Sequence, residues 1–152
     1  MTRNNPRAWI WIFMMVEFVG LTLDALWHGV LHRDFEAGTV GEMARHLTTV
    51  HLPLYVGVLG LLVSTTWALL GRLRRSKSGL ALPFAVAGAT VQTAGEAWHA
   101  YSHLALRPNP LPELLGFAGL LMVIASMLSS RRARRGQPAE TAAPNRERRA
   151  SG

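Results

Sequence analysis

The chain has 152 residues, of which 49% are hydrophobic, and its formal net charge is +7 at pH 7. It contains no cysteine, which excludes disulfides, thiolate metal sites and cysteine nucleophiles. The basic residues flank long apolar segments, and this placement indicates a membrane protein that contacts the lipid bilayer rather than nucleic acid. The sequence also lacks a phosphate loop, a nucleophile elbow and a nucleotide-binding glycine motif.

Four apolar segments are long enough to cross a hydrocarbon core about 30 Å thick, which needs roughly 20 helical residues. They cover residues 8–31, 52–70, 80–100 and 111–128. The predicted fold class is therefore all-α and integral to the membrane. We expect residues 1–130 to form one bundle of four transmembrane helices.

The positions of the basic residues predict the orientation of this bundle. Cytoplasmic loops of membrane proteins are enriched in Lys and Arg. Thirteen of the sixteen basic residues lie in the N-terminus, the second loop and the tail, and only Arg33, Arg45 and Arg107 lie elsewhere. The sequence thus predicts a multi-pass protein of the cell membrane with both termini in the cytoplasm. The basic tail, residues 131–152, is rich in Arg, Ala, Pro and Glu and is predicted to be disordered.

An internal repeat suggests that the bundle arose by tandem duplication of a helical hairpin. Residues 22–32 read TLDALWHGVLH and residues 93–103 read TAGEAWHAYSH. Further along, residues 52–62 read LPLYVGVLGLL and residues 111–121 read LPELLGFAGLL. The first and third helices become equivalent in this alignment, as do the second and fourth. The first copy has a longer outer loop.

The first and third predicted helices each carry a polar stripe along one face. The stripes consist of Glu17, Asp24, His28 and His32 on the first helix, and Gln92, Glu96, His99 and His103 on the third. An ionisable residue at membrane depth costs roughly 3 kcal/mol when it faces lipid. We therefore expect both stripes to face the interior of the bundle and each other.

The stripes predict a transition-metal site near the extracytoplasmic face. Two histidines four residues apart lie on one helical face and can ligate one ion, and each pair follows a carboxylate. The predicted ligands are His28, His32, His99, His103, Asp24 and Glu96, and the additional candidates, with less weight, are His46, His51, Glu113 and Glu17. Imidazole and carboxylate without sulfur suit Fe, Zn, Mn or Cu(II).

The three spaced histidine pairs, at 28/32, 46/51 and 99/103, resemble the histidine boxes of membrane di-iron desaturases and hydroxylases. The resemblance covers the histidine spacing alone. It assigns no role to any residue of this chain.

The pattern favours one function and leaves two alternatives open, and it does not identify an enzyme. The first is a non-haem metal site used for redox chemistry on a membrane-soluble substrate or for metal handling. The second is an electron-transfer protein that holds a b-type haem through His28 and His99 as axial ligands. The third needs no metal and is a proton-coupled carrier or pH-responsive membrane subunit whose histidines titrate.

Overall fold

The structure is a computed structural model, and it describes residues 6–33, 37–74, 79–107 and 109–135, with side chains up to residue 130. The described residues form five helices and no strand, which confirms the predicted all-helical class. The helices are α1 (Pro6–Leu26), α2 (Val40–Thr49), α3 (Leu52–Leu73), α4 (Ala81–Leu104) and α5 (Leu111–Arg135). A π-helical turn, Trp27–Leu31, directly continues α1.

Among the described residues, three helical stretches are long and apolar enough to cross a membrane. They are Pro6–Leu31, Leu52–Leu73 and Leu111–Ser130. The remaining predicted segment forms α4, whose 24 residues also suffice in length. Its hydropathy is lower because Gln92, Glu96 and His99 interrupt the apolar run. The length and composition of the helices thus indicate a membrane protein.

The predicted tail begins at Arg131, but α5 continues to Arg135. Residues 136–152 lie outside the described residues, as do Arg3, Arg75 and Lys77, which contributed to the predicted orientation.

Helix α2 lies in the segment that was expected to be only an outer loop. Two side chains cap its first turn. The Thr39 hydroxyl accepts a hydrogen bond from the Glu42 N–H at 3.2 Å. The Glu42 carboxylate accepts one from the Gly38 N–H at 3.0 Å. Such caps satisfy backbone donors that a helix start leaves unpaired. The pattern Thr39-x-x-Glu42 is the sequence signal for this helix.

All four long helices contribute to one buried apolar core. The core consists of Ile10 and Met14 from α1, Leu61 and Ala68 from α3, Leu82 and Ala89 from α4, and Leu120, Val123 and Met127 from α5. Many large apolar side chains lie on the opposite, outward faces, including Trp67, Leu80 and Leu121. Outward apolar surface on this scale is what a lipid environment requires.

Glycines allow the closest helix pairs to approach. A Cβ on Gly57 of α3 would lie 2.6 Å from the backbone nitrogen of Glu17 in α1. A Cβ on Gly119 of α5 would lie 2.5 Å from the backbone nitrogen of Gln92 in α4. Small residues at such crossings are typical of helix pairs in membranes. The α1–α3 pair and the α4–α5 pair are therefore both glycine-mediated.

The order of packing differs from the predicted one in one respect. The polar stripes predict that the first and third predicted helices, α1 and α4, are neighbours across the bundle centre. In the described residues, α3 packs against both, and the backbones of α1 and α4 stay apart. Their side chains nevertheless meet, since Gln92 Nε2 donates a hydrogen bond to Glu17 Oε1 in the buried interior.

Candidate metal centre

Four consecutive parts of the first half of the chain converge at one end of the helices. Asp24 lies in the last turn of α1, His28 in the π-helical turn, His46 in the last turn of α2, and His51 immediately before α3. The two histidines from α2 and the start of α3 are brought over His28 because α2 folds back against α3 and α4. We call these four residues the first group.

The polar atoms of the first group are close enough to share one ion. His28 Nε2 lies 3.1 Å from His46 Nε2, and Asp24 Oδ1 lies 3.0 Å from His51 Nε2 and 3.5 Å from His28 Nε2. The ligand atoms of the three histidines all lie within 4.8 Å of one another. A tetrahedral ion with ligands at about 2.0–2.1 Å separates its ligand atoms by about 3.3 Å. The three separations of 3.0, 3.1 and 3.5 Å are close to that spacing.

Burial within the first group is uneven. His51 is 1% exposed and His46 is 4% exposed, whereas the His28 side chain is 40% exposed. Burial, together with the neighbouring His51 and His28, lowers the pKa of His46 to about 4. His46 is thus neutral at physiological pH, which is the form of imidazole that binds a metal. Access from outside is on the His28 side.

A second group of polar side chains lies beside the first. His99 and His103 lie one turn apart on α4, with ring centres 4.4 Å apart, and His99 Nδ1 lies 3.6 Å from Glu113 Oε1 of α5. The ring of His51 contacts both histidine rings. Its centre lies 5.8 Å from the ring centre of His99 and 6.2 Å from that of His103. His51 therefore contacts both groups.

The structure brings together a different set from the one that the repeat favoured. His28, His46 and His51 form the candidate ligand cluster, so the two residues given less weight supply two of its three histidines. His32 does not join them in the described structure. Its ring stacks on Trp27, with ring centres 3.7 Å apart and planes inclined by 16°.

The π-helical turn explains the position of His32. The N–H of His32 donates to the carbonyl of Trp27, five residues earlier, at 2.8 Å. This wider turn, which ends at His32 in a non-helical conformation (φ −139°, ψ 57°), destroys the α-helical i, i+4 relation between His28 and His32. The pair at His99 and His103 lies in regular α-helix and keeps that relation.

Two predicted carboxylates make other contacts. The Glu96 side chain extends toward α5, where a Cβ on Gly116 would be 2.7 Å from Glu96 Oε1. Glu17 is 1% exposed and is bonded to Gln92. Neither side chain belongs to the candidate ligand cluster.

No family model, no curated protein and no solved structure matches the chain. The geometry of the two groups therefore carries the functional argument.

Proposed function

We propose that this chain is an integral membrane protein in which His28, His46, His51 and Asp24 bind one transition-metal ion near the extracytoplasmic face. The ion serves redox chemistry on a membrane-soluble substrate or the handling of the metal itself. The proposal depends on one observation above all: three pairs of ligand atoms lie 3.0, 3.1 and 3.5 Å apart, as the ligands of one small ion do.

The ligand set narrows the class of metal. Three imidazole nitrogens and one carboxylate oxygen suit Zn, Fe, Mn or Cu(II), and the absence of thiolates makes Cu(I) a poor fit. Asp24 has two roles available, since Oδ1 can bind the ion or can fix the orientation of the His51 ring. The partial exposure of His28 leaves one side of the ion open to a substrate or to metal exchange.

The contacts of His28 favour an ion over a haem. An axial pair requires His28 and His99 to face each other across a porphyrin ring. Instead, Nε2 of His28 faces His46 at 3.1 Å, and the buried ring of His51 lies 6.1 Å from His28 and 5.8 Å from His99. A visible spectrum of the purified protein tests this choice, because a bound haem would dominate it.

Metal analysis of the protein, purified in detergent without chelator, is the primary test. We expect at least one equivalent of a transition metal, and we expect the His46→Ala variant to lose most of it. A folded wild-type protein that holds far less than one equivalent, and that does not take up Zn²⁺, Fe²⁺, Mn²⁺ or Cu²⁺ when these are added, would contradict the metal site. The proton-coupled carrier would then be the better hypothesis.

We further propose that α4 is the fourth span and that the bundle is a duplicated hairpin with both termini in the cytoplasm. At 1.5 Å per residue, its 24 residues reach about 36 Å. The polar residues that lower its hydropathy are mostly turned inward: Gln92 and His99 are buried. The glycine-mediated packing of both α1–α3 and α4–α5 supports the duplication.

Cysteine labelling in intact cells tests the orientation. A cysteine at Gly41, which is exposed in α2, should react with an impermeant thiol reagent, and a cysteine at Ser76 should not. The reverse pattern would place the histidine clusters on the cytoplasmic side. The chain has no native cysteine, so no background substitution is needed.

A further inference from the structure

We infer that the centre holds two metal ions, the second bound by His99 and His103 of α4 and Glu113 of α5. This inference rests on the proposed function, because it extends the same centre. It adds a site in the second half of the chain, so that the protein binds two ions.

The geometry of the second group is that of a loosely preformed site. His99 Nδ1 and Glu113 Oε1 are 3.6 Å apart, which is longer than a hydrogen bond and close to the separation of about 3.3 Å around a tetrahedral ion. The His103 ring meets the His99 ring edge-on at 4.4 Å. Binding an ion here requires the exposed Glu113 side chain and the His103 ring to turn toward His99 Nδ1.

The second group contains a buried ring nitrogen that lacks a hydrogen-bond partner among the described residues. His99 is 7% exposed, and its Nδ1 has no hydrogen-bond partner among the described residues. The same holds for Nδ1 of His51, whose ring contacts both His99 and His103. A buried polar atom without a partner costs about 1–3 kcal/mol. A cation between these rings and Glu113 would satisfy the His99 nitrogen.

The first ion cannot use these side chains. It is already surrounded by the three histidines and one carboxylate of the first group. The centre of the His51 ring lies 4.9 Å from that of His46 and 5.8 Å from that of His99, so we place this imidazole between the two ions. The ions would therefore be farther apart than the roughly 3.5–4 Å of two-metal hydrolytic sites.

The two sites differ in how fully the protein surrounds the ion. The first group offers four ligands, whereas the second offers two imidazoles and one carboxylate, and Glu113 is 56% exposed. Three protein ligands leave a position for water or substrate. We assign the second site to a borderline divalent ion such as Zn²⁺, Fe²⁺ or Cu²⁺, and we expect it to bind the more weakly of the two.

Titration of the metal-stripped protein in detergent with Co²⁺, followed by its visible spectrum, measures the number of sites. Wild-type protein should bind two equivalents, with the second at lower affinity. His103→Ala and Glu113→Gln should each remove the weaker step and keep the tighter one, while His28→Ala should weaken the tighter one. His32→Ala is the matched control and should leave both steps.

Each outcome bears on a different proposal. One equivalent in wild-type protein, unaffected by both second-group variants, would overturn the second site and leave the first intact. No binding at all would overturn both. Two equivalents that persist in His103→Ala and in Glu113→Gln would show that the second ion lies elsewhere. Helical circular dichroism and gel filtration identify any variant that fails to fold, and the exposed Glu113 makes its Gln variant the safer of the two.

An independent measurement uses wild-type protein alone. Two Cu²⁺ ions separated by one imidazole ring broaden each other's paramagnetic resonance signal, whereas a single Cu²⁺ gives a resolved spectrum. We expect the resolved spectrum at one equivalent and the broadened one at two. A resolved spectrum of doubled intensity at two equivalents would place the ions too far apart for this centre.

Discussion

The two copies of the WHxxxH motif have the same sequence pattern and different geometries. In the second copy, the motif lies in regular α-helix, and His99 and His103 contact each other. In the first copy, a π-helical turn carries His28, and His32 stacks on Trp27 instead of joining it. The first copy obtains its partners, His46 and His51, from the longer outer segment.

The difference shows that backbone geometry, and not the motif, determines which histidines meet. The segment between α1 and α3 contains α2 and supplies two buried histidines, whereas the segment between α4 and α5 is short and supplies none. Two similar sequence segments thus lie beside a close histidine cluster in one case and a looser polar group in the other.

The largest expected effect on metal affinity is at His51, the residue that contacts both groups. His51→Ala removes a ligand of the first ion and the ring beside His99 and His103. Loss of an outer-shell partner alone typically costs 10–100-fold in metal affinity, so loss of this ligand should cost about 100-fold or more for the first ion and measurably weaken the second. Competition against a chelator of known affinity measures both. An unchanged first-ion affinity would contradict the assignment of His51.

A smaller effect on metal affinity should distinguish Asp24 from Glu96, the carboxylates that precede the two motifs. Asp24 Oδ1 lies 3.0 Å from His51 Nε2, whereas the Glu96 side chain extends toward Gly116. Asp24→Asn should therefore lower the affinity for the first ion by about 10–100-fold. Glu96→Gln, the matched control, should change it by much less. Equal losses in the two variants, measured in the same chelator competition, would mean that Glu96 also serves the first group.

The smallest expected effect is on stability. It compares Gly57 and Gly116, which occupy the same position in the segments 52–62 and 111–121. A Cβ on Gly57 would lie 2.6 Å from the backbone of Glu17, whereas a Cβ on Gly116 would meet only the flexible end of the Glu96 side chain, at 2.7 Å. Overpacking against backbone costs about 1–3 kcal/mol. Gly57→Ala should lower the unfolding free energy in detergent by that amount, and Gly116→Ala by less. Equal losses would indicate that both hairpins cross in the same way.

The helical class and the extents of the four long helices could be predicted from the sequence because they depend on local hydropathy. The predicted segments 8–31 and 111–128 correspond to helical stretches that begin at Pro6 and Leu111. The histidine cluster could be predicted only as a region. Which histidines meet depends on two features that hydropathy does not report, the π-helical turn and helix α2.

One of these features was visible in the sequence. The pattern Thr39-x-x-Glu42 marks the start of a helix, and in that helix His46 lies one turn beyond Glu42. A helix at this position makes His46 and His51 stronger candidates for metal ligands. The motif itself gives no comparable signal for the π-helical turn, because its Trp and both His residues recur at Trp98, His99 and His103 in the regular helix α4.

At one position of the π-helical turn, Gly29, the first site should be sensitive to chain length rather than to side-chain identity. Gly29 lies within the turn, and a Cβ there would meet nothing within 4 Å, so most substitutions should be tolerated. Deleting Gly29 is a different change. Removing one residue from a helix rotates everything beyond it by about 100° relative to what precedes it. Homologous chains that share this centre should therefore keep His28 and vary freely at Gly29 while keeping the number of residues in this turn.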